Sequence, residues 1–141
     1  MATGRADVRY DDVELGDDLP TEHPDISMEK ITQFVVAANM NFPRFTDHDF
    51  ARTEGLPGAL VPGIMSQGLL AAMIHRWAPG CQVRTLDTVF RAPLVVGTTP
   101  TITGAVTDTD DDARTAELDL TVVGEDGRTA VLGTAIVAFA D

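Results

Sequence analysis

The longest helical signal in the chain is IMSQGLLAAMIHRWAPG, residues 64–80. Its large apolar residues recur at helical spacing, and they are Met65, Leu69, Leu70, Met73, Ile74 and Trp77. Small residues stand between them, namely Ser66, Gly68, Ala71 and Ala72. A helix that is apolar around much of its circumference is surrounded by other structure and does not lie on a surface. We therefore predict a helix near residues 62–77 that is the most buried element of the fold.

Beyond residue 83 the apolar residues recur with a period of two. Four consecutive strands are predicted, and their sequences are VRTLDTVFRAPL, TPTITGAVTD, ARTAELDLTVVG and RTAVLGTAIVAFA. The Asp-Gly pair at Asp126-Gly127 is a good hairpin signal between the last two strands. The acidic run from Asp108 to Asp112 is interpreted as a solvated loop tip. One long helix followed by an antiparallel meander predicts an α+β domain, with a sheet curled around a central helix.

Shorter elements precede the long helix. YDDVELGDDLP, residues 10–20, has the apolar spacing of one strand, and Ser27 can cap an amphipathic helix that follows it. Thr46 and Asp49 fit a capping box, with Thr46 as the N-cap. Phe45 and Phe50 would then form a hydrophobic staple across the start of this second helix, which Gly55 is placed to end.

Composition limits the function. The chain has 141 residues, which predicts a single domain over 1–141 with about the first nine residues flexible. The net charge of −12 repels phosphate backbones, so nucleic acid and anionic membranes are poor partners. No apolar run reaches the roughly 20 residues of a membrane span, and the start lacks an apolar signal segment. With a single cysteine, Cys81, the expectation is a cytoplasmic protein without internal disulfides.

Three stretches together resemble the MaoC-like (R)-specific enoyl-CoA hydratase and 3-hydroxyacyl-thioester dehydratase family. They are YDDVELGDDLP, NMNFPRFTDHDFARTEGLPGALVPGIMSQGLL and LDTVFRAPLVVGTTPTITGAV. The resemblance runs from about residue 10 to the end of the chain. It implies a hot-dog fold, in which an antiparallel sheet wraps the long helix, and subunits that pair through their sheets.

The family's chemistry lies in an Asp-x-Asn-Pro-x-His loop and in a His-Gly-Met turn whose glycine N–H polarises the thioester carbonyl. Hydration of an enoyl thioester needs a general acid or base at the β-carbon and a donor for the enolate-like oxygen. When Pro43 is aligned with the family's proline, the Asp position holds Met40 and the His position holds Phe45. A slip of one residue brings Asn39 or Asn41 to the first positions, and neither is ionisable.

The glycine of the second motif is retained. Pro62-Gly63-Ile64 stands where the family has His-Gly-Met, and Phe90-Arg91-Ala92-Pro93 matches the strand and loop that flank the thioester tunnel. The resemblance thus implies that Gly63 is a backbone oxyanion donor and that the acid–base pair is missing. Asp47 and His48 are the nearest titratable substitutes, although both also suit the first turn of a helix.

The remaining candidate residues concern substrate binding. They are Asn39, Met40, Asn41, Phe45, Ser66 and Arg91. The resemblance implies an acyl thioester, on CoA or a carrier protein, as the ligand, and we expect no metal and no further cofactor.

Three functions stay open. The chain could be a subunit that binds an acyl thioester within a hetero-oligomeric hydratase or dehydratase. It could instead be a stand-alone enzyme, a hydratase, dehydratase or thioesterase with non-standard residues. The third possibility is a non-catalytic binder. The expected assembly is a homodimer or a heterodimer with a second hot-dog subunit, because a single sheet has an edge that must be protected.

Overall fold

A computed structural model describes residues 8–140; residues 1–7, most of the segment predicted to be flexible, lie outside them. A single turn of 3₁₀ helix at Tyr10–Asp12 comes first. The α-helices are α1 (Met28–Ala37), α2 (Pro43–Thr46), α3 (His48–Thr53) and α4 (Gly63–Trp77), and the strands are β1 (Gln82–Phe90), β2 (Thr101–Asp110), β3 (Thr115–Val123) and β4 (Thr129–Ala138). The predicted long helix and four strands are therefore confirmed.

The four strands form one antiparallel sheet in the order β1-β4-β3-β2. Leu86 of β1 and Leu118 of β3 both pair with Ala135 of β4, which places β4 between them. The buried side of the sheet packs with α4 in one hydrophobic core, to which Leu70 of the helix and Leu120 of the sheet contribute. The α+β class predicted from periodicity is confirmed.

The prediction that α4 is the most buried element is wrong, because β4 is more completely buried. Six of the ten residues of β4 are buried, against five of the fifteen residues of α4. β4 has a strand on either side and α4 over one face, whereas the sheet covers only one side of the helix. Ile64 is 60% exposed at the start of α4, and Gly68 is exposed one turn later.

The two edges of the sheet differ. The edge strand β2 is covered by the N-terminal segment, in which the Leu19 N–H donates to Gly104 O at 2.9 Å and the Glu22 N–H donates to Ile102 O at 3.0 Å. This segment makes isolated bridges and not the predicted strand, since Pro20 between them has no N–H to donate. At the other edge, β1 pairs only with β4 among the described residues.

The capping arrangement at Thr46 is a wrong prediction. Ser27 caps α1 as expected, but Thr46 is the last residue of α2, which starts with Pro43 at its first position. The chain leaves helical geometry at Asp47, whose carboxylate accepts from the Phe50 N–H at 3.0 Å and caps α3.

The predicted staple between Phe45 and Phe50 fails for the same reason. With Asp47 as the N-cap, Phe45 is two residues before the cap and not one. Its ring lies edge-on to Phe42, with centroids 6.3 Å apart, and it packs against the core, while Phe50 is 39% exposed. Gly55, with φ of 87°, follows α3 as expected.

Candidate functional site at the start of the long helix

The start of α4 is held in place by a short antiparallel pairing between two loops. The Val61 N–H donates to Leu94 O and the Val96 N–H donates to Ala59 O, both at 2.9 Å. The Leu60 N–H donates to Arg44 O at 2.9 Å, which ties the same loop to α2. Pro62 then serves as the N-cap residue of α4, so these bonds fix where the helix begins relative to the loop that follows β1.

A cavity of about 490 Å³ lies beside this helix start. It is bounded by the loop before α4, the first turn of α4, the end of β1, the loop after β1 and one residue of β4. The lining residues are Leu60, Val61, Gly63, Ser66, Phe90, Arg91, Ala92, Pro93, Leu94 and Val131. Three of the residues predicted from the sequence, Gly63, Ser66 and Arg91, are thus brought together in one cavity.

Gly63 is the first residue of α4, so its N–H cannot be satisfied within the helix. No hydrogen bond among residues 8–140 uses this N–H as its donor. A Cβ built on Gly63 would lie 3.0 Å from Cζ of Phe90, so glycine allows the aromatic ring to approach the helix start. The N-terminal end of a helix also carries partial positive charge, and a free N–H there can stabilise a carbonyl oxygen that gains negative charge.

Ser66 and Arg91 are the polar side chains of the lining. Ser66 is only 2% exposed, and its hydroxyl makes no hydrogen bond with another described residue. Arg91 is exposed, lines the cavity and forms no ion pair within residues 8–140. The other lining side chains are apolar. The cavity therefore combines apolar walls with two polar side chains and one free backbone N–H.

The residues at the family's acid–base positions lie elsewhere. Met40 and Phe45 are half-buried and pack against the core, and neither lines the cavity. Asn39 and Asn41 are exposed, and Asn39 has a positive φ of 57° where α1 has ended and the chain turns. The structure therefore does not bring these four residues to the cavity beside Gly63.

Asp47 and His48 have structural partners. The Asp47 carboxylate caps α3, as described above. The Ala59 N–H donates to Nδ1 of His48 at 3.0 Å, so the imidazole supports the loop that leads to α4. A backbone donor at Nδ1 requires the neutral ring to carry its proton on Nε2. Neither residue lines the cavity.

Sequence reasoning missed part of the lining. Leu60 and Val131 come from an irregular loop and from the central strand, and both read as ordinary apolar residues of their segments. No local pattern in the sequence marks them, because only the pairing of distant segments brings them beside Gly63.

Among residues 8–140, no group of three or more His, Cys, Asp or Glu side chains could hold a metal ion. No helix in the same range has the length and hydropathy of a membrane span.

The fold is similar to those of solved hydratases and dehydratases. An (R)-hydratase from A. caviae superposes with a TM-score of 0.84 at 22% identity, over 90% of this chain and 97% of the other. The ChsH1–ChsH2 complex from Mycobacterium tuberculosis gives a TM-score of 0.81 at 19% identity, over 89% and 98%. A MaoC-like dehydratase gives 0.86 at 27% identity, where 94% of this chain covers 42% of the other.

At the level of sequence alone, no protein-family model and no curated protein matches the chain. The solved structures to which this chain is similar thus include MaoC-like dehydratases and (R)-hydratases, and the chain has their hot-dog fold. This confirms the fold that the resemblance implied. Because one of the similar structures is a complex of two differently named chains, the fold is also used in assemblies of that kind.

Proposed function

We propose that this chain binds an acyl thioester in the cavity at the start of α4 and acts as a dyad-less subunit of a hydratase or dehydratase assembly. The observation that carries the proposal is the free N–H of Gly63, the first residue of α4, which lines a largely apolar cavity of about 490 Å³. A thioester oxygen could accept from this N–H while its acyl group lies against the apolar walls. The exposed Arg91 is placed to contact an anionic part of the ligand, such as a phosphate of CoA.

The absence of an acid–base pair at the cavity supports the role of a subunit. General acid–base help is worth about 10²–10⁴ in rate, and neither Met40 nor Phe45 can supply it. Asp47 and His48 already cap a helix and support a loop. A second hot-dog subunit that carries the missing Asp and His would complete the reaction, and the uncovered edge of β1 is where we propose that it pairs.

The binding test exploits the place of Gly63 at the first position of α4. Proline is well tolerated at this position, and Pro62 has φ of −58° and ψ of 140°, the conformation that a following proline prefers. Gly63→Pro therefore removes the N–H without breaking the helix. Gly63→Ala is the matched control, because it adds a Cβ beside Phe90 and keeps the N–H.

We expect Gly63→Pro to bind crotonyl-CoA about two- to tenfold more weakly than Gly63→Ala, as measured by isothermal titration calorimetry. This difference in affinity corresponds to the net free energy that one hydrogen bond contributes. Equal affinity of the two variants would contradict the role of the Gly63 N–H. Failure of the wild-type chain to bind any CoA thioester would contradict the proposed function itself.

The alternative is a stand-alone enzyme that uses Asp47 and His48 in place of the usual pair. It is favoured by one observation, that these are the titratable residues next in the chain to the vacated positions. Hydration of crotonyl-CoA by the purified chain separates the two candidates. Rapid turnover that is lost in Asp47→Asn and in His48→Asn would favour the stand-alone enzyme, whereas we expect very slow turnover.

A further inference from the structure

We infer that the outer face of the sheet is a docking surface for a basic amphipathic helix of a partner protein. The outer face is the side turned away from α4, and Leu132, Thr134 and Ile136 of β4 are exposed on it. The cavity at the start of α4 lies on the other side of the sheet, so this inference does not depend on the proposed function.

Three large apolar side chains are exposed on the outer face. They are Leu132 and Ile136 of β4 and Val89 of β1, which pairs directly with Leu132. Val89 and Leu132 also line a cavity of about 270 Å³ on this face. Neighbouring apolar side chains that remain exposed on one face of a sheet favour contact with a partner that buries them.

Carboxylates stand on both sides of Thr134. Asp87 of β1 and Asp119 of β3 both pair with Thr134, so their Cα atoms lie on the same face about 10 Å apart. Both side chains are exposed, and neither forms an ion pair or a hydrogen bond within residues 8–140. Among the same residues, no Lys, Arg or His lines the cavity between them. A cation placed above Thr134 would interact favourably with both carboxylates.

The spacing of the apolar residues along β4 suits a helix. Leu132 and Ile136 are four strand residues apart, which is about 13 Å, and helical residues i and i+8 are about 12 Å apart. The helical residue at i+4 would then lie above Thr134, between the two carboxylates. A helix with apolar residues at i and i+8 and Lys or Arg at i+4 would therefore fit both kinds of group. On α4, which covers the inner face, buried residues show the same spacing; they are Ser66, Leu70 and Ile74.

A second copy of this chain does not suit the outer face. It would bring its own Asp87 and Asp119 against the same carboxylates, and its net charge of −12 would add to the repulsion. Complementary charge therefore identifies a basic partner.

The test uses a synthetic helical peptide with Leu at i and i+8, Lys at i+4, and Ala and Gln elsewhere. Its control is a scrambled peptide of the same composition, which has the same charge and lacks this spacing. In NMR titrations of the ¹⁵N-labelled chain, we expect the wild type to bind the designed peptide at least about fivefold more tightly than the scrambled one. The shifted amides should lie on the outer face around Thr134, and binding should weaken as the salt concentration rises.

Two pairs of variants locate the contact. Asp119→Asn should weaken binding of the designed peptide about two- to fivefold, as expected for an exposed ion pair. Glu29→Gln removes the same charge from the exposed side of α1 and should leave binding unchanged. Leu132→Thr keeps a residue suited to a strand and should weaken binding by a similar factor. Val36→Thr, at an exposed position of α1, is its matched control.

Four outcomes would overturn the inference. Equal binding of the two peptides, or equal loss in Asp119→Asn and Glu29→Gln, would show that only the net charge attracts the peptide. Absence of binding by the wild type up to about 1 mM peptide would show that the face is not a docking surface for such a helix. A wild-type dimer that Leu132→Thr dissociates and Val36→Thr does not would assign this face to a second copy. None of these outcomes bears on thioester binding in the cavity at the start of α4.

Discussion

At the scale of single residues, two side chains that look like candidates for catalysis have structural partners. Asp47 caps α3, and His48 accepts a hydrogen bond from the Ala59 N–H at 3.0 Å. Ala59 itself is fully buried, and its carbonyl pairs with the Val96 N–H. The imidazole of His48 therefore helps to hold the loop from which α4 and the cavity begin.

The first prediction concerns His48. His48→Ala should lower the free energy of unfolding by about 1–3 kcal/mol, because the buried Ala59 N–H would lose its acceptor. His48→Asn offers an amide oxygen in a similar place and should recover part of the loss. Denaturant unfolding followed by the fluorescence of Trp77, the single tryptophan, measures both. An unchanged free energy of unfolding in His48→Ala would contradict the structural role.

The sequence predicts the residues that line the cavity better than the contacts of the residues around it. Gly63, Ser66 and Arg91 could be placed near one another from a resemblance that fixes the start of the helix and the end of a strand. The contact of His48 with Ala59 could not, because the two residues are eleven positions apart across an irregular loop. The N-cap of α3 is Asp47 and not Thr46, because Pro43 starts a separate short helix, α2, that ends at Thr46. A local capping pattern does not reveal this short helix.

At the scale of elements, periodicity predicted the strands and α4 well, since alternation and helical spacing are both strong here. The N-terminal part of the described chain was predicted less well. The N-terminal 3₁₀ turn docks on the β2–β3 hairpin through Tyr10, whose hydroxyl donates to Asp111 at 2.5 Å and whose ring faces the Arg114 guanidinium at 5.2 Å. Such long-range pairs leave no periodic signal in the sequence.

The second prediction tests this docking. The hydrogen bond to the Asp111 carboxylate, followed by burial, raises the pKa of Tyr10 above its usual value. Tyr10 is the single tyrosine, so the absorbance of tyrosinate reports it alone. Asp111→Asn should move the midpoint to lower pH, because the phenolate would no longer face a carboxylate. Asp112→Asn is the matched control, since Asp112 is one residue away and makes no described bond to Tyr10.

The direction of the pKa shift also sets the pH dependence of stability. A phenol whose pKa is raised in the folded state contributes stability that is present at neutral pH and is lost as the pH rises through the folded-state pKa. On going from neutral to alkaline pH, the free energy of unfolding should therefore fall less in Asp111→Asn than in Asp112→Asn. Equal losses in the two variants would contradict the docking of the 3₁₀ turn on the hairpin.

At the scale of the whole molecule, the unpaired edge of β1 favours association with another sheet, and the net charge opposes association between two copies of this chain. The N-terminal segment covers β2, but within residues 8–140 β1 has a partner on one side only, with Val89 and Phe90 each 53% exposed. An exposed strand edge favours pairing with another sheet. A second copy of this chain would bring another net charge of −12 to the interface. Pairing with itself is therefore opposed by electrostatic repulsion, which a partner of lower negative charge would avoid.

The last prediction follows from this opposition. In sedimentation at micromolar concentration the chain should form a dimer more readily at about 0.5 M salt than at about 0.02 M, because salt screens the repulsion between like-charged subunits. Val89→Lys, at the uncovered edge, should weaken the dimer. Val36→Lys on α1 is the matched control, since Val36 is 61% exposed and the change adds the same charge. A monomer at every salt concentration would rule out self-pairing, and the β1 edge would then have to be tested with a separate hot-dog subunit. Equal strengthening of the dimer by the two lysine variants would show that the added charge acts through the net charge and not through the edge of β1.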